Sequence, residues 1–293
     1  MKQITGTYIV DQIREMPFSA SIPSTWAELD AKQYATIIQV LHYKKADPYT
    51  INVSLLTLLF GKNHYHILEG LPADLMYEML PKEDDHLTGR VSLIDFLLKE
   101  TPPVKNFFTE IKIRKKKCAA PADDLSNLSF GEWCFVYQFF HYYQLDGNAS
   151  WLNKMIAVLY RPIDLLQDPE SPGFKGDIRE IFNENLIEKR AKDVAAIESR
   201  FKLAILAWFT VALMPVTAAR PHVFPPVDPD AEPSAESGQS ESGTWLTVFR
   251  ELLGPKWGTI DQLKNTNAMF ILDALEEQQI AYEEAMSKAG SQN

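Results

Sequence analysis

Residues 203–219 run for 17 positions without a charge, LAILAWFTVALMPVTAA. A segment this apolar has to be covered, either by lipid or by protein. A helix that crosses a bilayer wants about 20 apolar residues, and 17 is at the short end of the range. Pro215, Thr210 and Thr217 weaken a spanning helix further. The run also continues an amphipathic pattern. Val194, Ile197, Phe201, Ile205 and Trp208 recur at spacings of three and four, on a stretch that carries Lys192, Asp193, Glu198, Arg200 and Lys202. Such a helix enters a protein core wet at one end and buried at the other. The pattern favours a central core helix, with a single membrane span as the alternative.

Proline and glycine divide the rest of the chain. Residues 1–80 read as helices separated by Pro17, Pro23, Pro48 and Pro72, and 88–100 as a short helix stopped by Pro102 and Pro103. TEIKIRKKK (109–117) alternates about Ile111 and Ile113, which marks a strand, and its bases suit an edge. Residues 124–161 read as aromatic-rich helix, 168–176 as a Pro/Gly loop, and 178–214 as one long helix or two abutting ones. Residues 221–243 hold five prolines and five acids, too little apolar surface to offset their ordering entropy, and read as a disordered linker. Helical pattern resumes in 244–286, where Met269, Leu272, Leu275, Gln279 and Tyr282 form a stripe with Glu276, Glu277, Glu283 and Glu284 off it. The expected organisation is an N-terminal helical region (1–104), a strand plus aromatic-rich helical core (105–220), the linker (221–243) and a C-terminal helical segment (244–293). The expected fold is mainly α, an array of helical hairpins with one small β element near 109–117.

A weak repeat suggests a duplication inside that array. Thr25-Trp26-Ala27-Glu28 and Ser129-Phe130-Gly131-Glu132 share the form of a capping box, in which the hydroxyl accepts the amide three residues on and the glutamate reaches back. Each opens an apolar helix, passes a turn (Asp47-Pro48 or Asp146-Gly147) and enters a second helix, ending SLLTLLFG (54–61) or KMIAVLYRP (154–162). Two similar amphipathic hairpins arise readily by chance, so both readings stand.

Motifs for chemistry are sparse. The sequence has no phosphate-binding G-x-x-x-x-G-K-[ST], no G-x-S-x-G and no H-E-x-x-H. His64 and His66, read on one face of a strand, would begin a metal site if Asp84, Asp85 and His86 joined them. Asp95 with Glu110 and Lys112 has the D…E-x-K layout of a magnesium-dependent nuclease, where carboxylates hold the metal and lysine meets the phosphate. Lys112, Arg114, Lys115, Lys116 and Lys117 would suit phosphate or an acidic surface. A formal charge of −10, about half of it from 221–243, argues against a general nucleic-acid binder. Seven aromatics crowd positions 133–143 (Trp133, Phe135, Tyr137, Phe139, Phe140, Tyr142, Tyr143), more than one small core can cover, which points to a partner surface or a second layer, with deep burial in a domain of this size as the alternative. Cys118 and Cys134 read as reduced thiols, and the opening MKQITGTYIVDQIREM lacks an apolar core of signal-peptide length, so a cytoplasmic location is expected.

IPSTWAEL (22–29), PADDLSNLSFGEW (121–133), AVLYRP (157–162) and ELLGPKWGTIDQLKNTN (251–267) together resemble phage or prophage tail-region proteins of Bacteroidetes. The likeness is diffuse and covers roughly 20–275. Lys117-Cys118, where a tyrosine is expected nearby, and the acidic stretch 221–243 depart from it. The resemblance implies a non-enzymatic tail-assembly or structural protein, such as a chaperone for a tail component, in the cytoplasm or on the virion. It implies phage tail or virion proteins as partners, with no cofactor, no catalytic residue and no small-molecule substrate. Trp26, Phe130, Trp133, Phe139, Tyr142, Tyr160 and Arg161 are the expected organisers or partner-binding positions. Glu28 and Glu132 are expected to cap helices, and Arg161 to bond helix-end carbonyls.

Overall fold

A computed structural model of the protein describes residues 1–11, 13–43, 46–82, 91–167, 170–171, 176–225, 245–254 and 257–290. Among the described residues the chain is mainly α-helical with two small antiparallel sheets. It divides into two compact units, Met1–Phe107 with Glu198–Val211, and Phe108–Ile197 with Ala212–Asn293.

Unit 1 opens on a β-hairpin where helix is expected. Strands β1 (Lys2–Val10) and β2 (Arg14–Ile22) pair antiparallel along their whole length. The signal for it is period two: Phe18, Ala20 and Ile22 point inward and are buried, and Ser19 and Ser21 between them are exposed. Pro17 does not break the pairing, because each strand of a two-stranded ribbon is an edge, where a missing N–H is tolerated. After Ile22 a short 3-10 turn, Trp26–Glu28, leads to helices α1 (Ala31–His42), α2 (Pro48–Gly70), α3 (Ala73–Met79) and α4 (Asp95–Lys99). Helix α2 is kinked at Gly61, whose φ of 66° lies in the left-handed region.

In unit 2, β3 (Glu110–Ile113) and β4 (Lys116–Ala119) form a second hairpin, and β5 (Arg161–Pro162) adds to β4. The expected strand at 109–117 is therefore two strands, turning at Arg114 with φ 52°. Helices α5 (Phe130–Asp146) and α6 (Ala149–Leu159) make an antiparallel hairpin through Gly147, whose φ of 67° caps α5. Helix α7 (Ile187–Val194) follows, and α8 (Ser199–Ala218) takes part in both units. Residues 178–214 thus hold an extended start, a short 3-10 helix (Glu184–Leu186) and two α-helices. Helices α9 (Trp245–Glu251), α10 (Ile260–Asn265) and α11 (Ala268–Gly290) complete unit 2. The start of α5 is fixed by backbone bonds, Phe130 N to Thr266 O (2.8 Å) and Ala268 N to Leu128 O (2.8 Å).

Helix α8 is long and apolar enough to cross a membrane by length and composition, with a mean hydropathy of 1.7 over its most apolar window, but 56% of that window is buried in protein. Trp208, Phe209, Ile205 and Ala212 are buried, and so is Lys202 near the wet end.

The two expected capping boxes differ. Ser129 Oγ accepts from Glu132 N (3.3 Å) and Glu132 Oε2 accepts from Ser129 N (3.0 Å). Thr25 makes no side-chain cap, and Glu28 instead accepts from Ser24 N (2.7 Å) and Ser24 Oγ (3.0 Å). Helix α1 is capped later, by Asp30 and Gln33. The two hairpins therefore begin differently, one capped by the expected box and the other by residues further on.

A buried ion cluster and a cationic cleft in unit 2

Helix α5 places one acid, Glu132, on a turn otherwise surrounded by Trp133, Cys134 and Val136, and only 2% of it is exposed. A lone buried carboxylate costs several kcal/mol, so it must find cations. It finds two. Arg161 Nη2 donates to Glu132 Oε1 (2.9 Å), and Arg179 Nη1 approaches the same oxygen at 3.1 Å. Asp177 completes the cluster: it accepts from Arg161 Nη2 at 3.0 Å and from Arg179 Nε and Nη2 at 2.8 Å each. Burial pulls Arg161 down to about 10, against the pull of Glu132, which leaves it a cation at neutral pH. Burial acts on Arg179 the same way, but Glu132 and Asp177 outweigh it and raise that group. Burial pushes Asp177 up, yet bonds and charges from Arg179 and Arg161 hold it below the usual carboxylate range.

The strand register explains the placement. Arg161 is the last residue before Pro162 on β5, held by Cys118↔Pro162 and Ala119↔Arg161. Opposite, residues 178–180 run back along 162–164, with Glu180 N bonded to Pro162 O (2.8 Å) and Asp164 N to Ile178 O (2.8 Å). Arg179 Nη1 also donates to the Leu159 carbonyl at the end of α6 (2.9 Å). The helix-end bond expected of Arg161 is therefore made by Arg179, while Arg161 donates to the Glu180 carbonyl.

The network reaches the surface through Glu180. Its carboxylate accepts from Arg190 (2.7 Å) and lies 3.8 Å from Lys116. Here a cleft of about 430 Å³ opens between β3–β4 and α7. Its floor includes Ile113, Cys118, Tyr160, Pro162 and Leu186, and its rim carries Arg114, Lys115, Lys116, Lys189 and Arg190 against Glu180 and Asp193. Arg114 pairs with Asp193 (2.8 Å). Lys115 and Lys189 are exposed and have no carboxylate partner among the described residues. Three of the five bases singled out in 112–117 thus line the cleft. Lys117 instead pairs with Glu110 (2.5 Å), and Lys112 lies opposite Lys117 in the strand register. Lys189 and Arg190 were not legible as part of any patch.

The other expected organisers are mostly core. Trp26 is 4% exposed, packs edge-on against Tyr34 and Phe96, and donates Nε1 to the Glu100 carbonyl (3.2 Å). Phe130 stacks on Phe249, and Trp133 meets Tyr137, Phe224 and Trp245. Phe139 and Tyr142 pack on Trp151. The buried Tyr160 hydroxyl donates to the Phe108 carbonyl (2.7 Å). The aromatic crowd on α5 is covered largely by its own unit, because α6 and α9 supply rings of their own.

His64 and His66 fall on helix α2, not on a strand, and helical geometry turns residues two apart to different faces. His64 Nδ1 lies 3.2 Å from the Phe60 carbonyl, and His66 packs on Tyr8. Asp84, Asp85 and His86 lie outside the described residues, as does most of the expected linker (226–243). Asp95 is buried in unit 1, where it accepts from Ser92 N (3.1 Å), Ser92 Oγ (3.1 Å) and Lys99 Nζ (3.0 Å), whereas Glu110 and Lys112 belong to unit 2. Among the described residues no three His, Cys, Asp or Glu side chains are placed to hold a metal ion. No family model, curated protein or solved structure matches the chain.

Proposed function

We propose that the protein is a non-enzymatic assembly or structural protein of a phage-tail-like system, acting through protein–protein contacts and holding an acidic segment of a partner in the unit 2 cleft. The observation that carries this reading is the local reversal of charge: five cations and two acids face the cleft on a chain of formal charge −10. An apolar floor inside a cationic rim suits a peptide that brings one hydrophobic side chain and several carboxylates. Apolar burial supplies a driving force of about 25 cal/mol per Å², much of it offset by the entropy lost on association, and the rim charges set orientation and encounter rate. The reactive groups in the cleft are quenched. Burial pushes the Cys118 thiol up, leaving little thiolate, and the Tyr160 hydroxyl is engaged by a backbone carbonyl. The phage-tail setting, the chaperone-like role and a cytoplasmic or virion location come from the sequence resemblance at 22–29, 121–133, 157–162 and 251–267.

Co-expression of the tagged chain with each protein encoded beside it tests this reading. A tail component should co-purify at low salt and dissociate as salt screens the rim. Failure of every neighbouring protein to bind would overturn the assembly role. Magnesium-dependent DNA cleavage that is lost in Glu110→Ala would replace it with the nuclease reading.

A further inference from the structure

The acidic occupant of the cleft need not be foreign. Helix α11 begins in the core, with Ala268, Ile271 and Leu272 fully buried. From Glu277 to Lys288 its side chains lie almost entirely at the surface, including Tyr282 (59% exposed) and Met286 (58% exposed). Leu272, Leu275, Gln279, Tyr282 and Met286 follow spacings of three and four, so the stripe that docks the start of the helix continues past its cover. Glu277, Glu283 and Glu284 stand on these projecting turns, and Lys288, their one base, lies 3.6 Å from Glu284. Glu283 also faces His222 Nε2 at 3.7 Å.

We infer that the cleft receives the projecting end of α11 from a second copy of this chain, joining copies head to tail. The inference rests on the cleft being a docking surface and names its occupant. Charge complementarity supports it, since the rim has three more cations than acids and the projecting turns have two more acids than bases. Size fits as well. A cleft of about 430 Å³ admits an anchoring side chain such as Tyr282 or Met286 and leaves the rest of the helix to lie across the cationic rim. None of the residues lining the cleft comes from α11 of the same copy. Because the two surfaces differ, the contact is heterologous: each added copy presents a fresh cleft and a fresh helix end, so association proceeds to a closed ring or an open filament.

Sedimentation velocity on the full chain, over a concentration series at low and high salt, tests the proposal. The wild type should self-associate at low salt and dissociate at high salt. The cleft reversal K115E/K189E and the helix reversal E277K/E283K/E284K should each weaken association by about tenfold or more. All five positions are at the surface, so circular dichroism should show both variants folded. An equimolar mixture of the two should associate again, because each charged helix then meets a cleft of opposite sign. A wild type that stays monomeric overturns the inference, and so does association unchanged in both variants. Fluorescence titration with a synthetic peptide of residues 275–290 separates the two readings. If the wild type is monomeric and the peptide fails, but an acidic neighbouring protein binds and loses binding in K115E/K189E, the self-docking inference falls and the docking cleft stands. If nothing acidic binds the cleft, both fall.

Discussion

Glu132 shares one carboxylate between two arginines, and Asp177 closes the square from the other side. Removing one partner of such a buried set is far more damaging than its net worth, because it leaves charge without compensation. Arg179→Met should therefore lower stability by about 3–5 kcal/mol, read as a shift of the urea midpoint at unchanged slope. Asp177 gives the cluster its pH dependence. Its folded pKa lies below the unfolded value, so its contribution is fully present above the ordinary carboxylate pKa of about 3.9 and is lost as pH falls through the folded value. Urea midpoints measured from pH 5 downward should fall less steeply in Asp177→Asn than in the wild type, starting from a lower value. Sequence pointed to Glu132 and Arg161, one through its capping position and the other through the helix-ending L-Y-R-P. It did not point to Arg179, which follows a Pro/Gly loop and carries no periodicity. The available signal was indirect: an acid surrounded on its helix by Phe, Trp, Cys and Val must be buried, and a buried acid requires more cation than one arginine that is itself desolvated.

At the scale of elements, side-chain size at one position fixes how the N-terminal hairpin sits on α2. A Cβ at Gly70 would come 2.3 Å from the Ile9 carbonyl oxygen and 3.0 Å from Tyr8 Cδ2. The backbone oxygen cannot rotate away, so Gly70→Ala should displace β1 at a cost of about 1–3 kcal/mol. Hydrogen exchange should show faster opening across 2–22 with little change in unit 2. The long helices were readable because their periodicity persists over several turns. The hairpin was not, because Pro17 and Pro23 outweighed the short alternation of Phe18, Ala20 and Ile22, and because its turn at Asp11 takes a positive φ without a glycine to announce it. The same limit applies to the cleft. Arg114, Lys115 and Lys116 were visible as a run, but Lys189 and Arg190 join them only through the path that brings α7 beside the β3–β4 hairpin.

Over the whole molecule, just over half of the apolar window of α8 is buried in protein, and the expressed chain should remain in the supernatant after carbonate extraction of membranes. Recovery in the carbonate-resistant pellet would place α8 in lipid instead. That helix also bears on how the chain is made. Unit 1 consists of the first 107 residues together with 198–211, so 90 residues (108–197) intervene before its last piece is available. At about 5–20 residues per second, a ribosome needs roughly 5–20 s to deliver them. During that interval the nascent N-terminal unit lacks a strip of its own core, and its unfinished apolar surface is exposed to aggregation. Birth order and final architecture are out of step in this protein, so its yield in the cell should depend on translation speed between those two points.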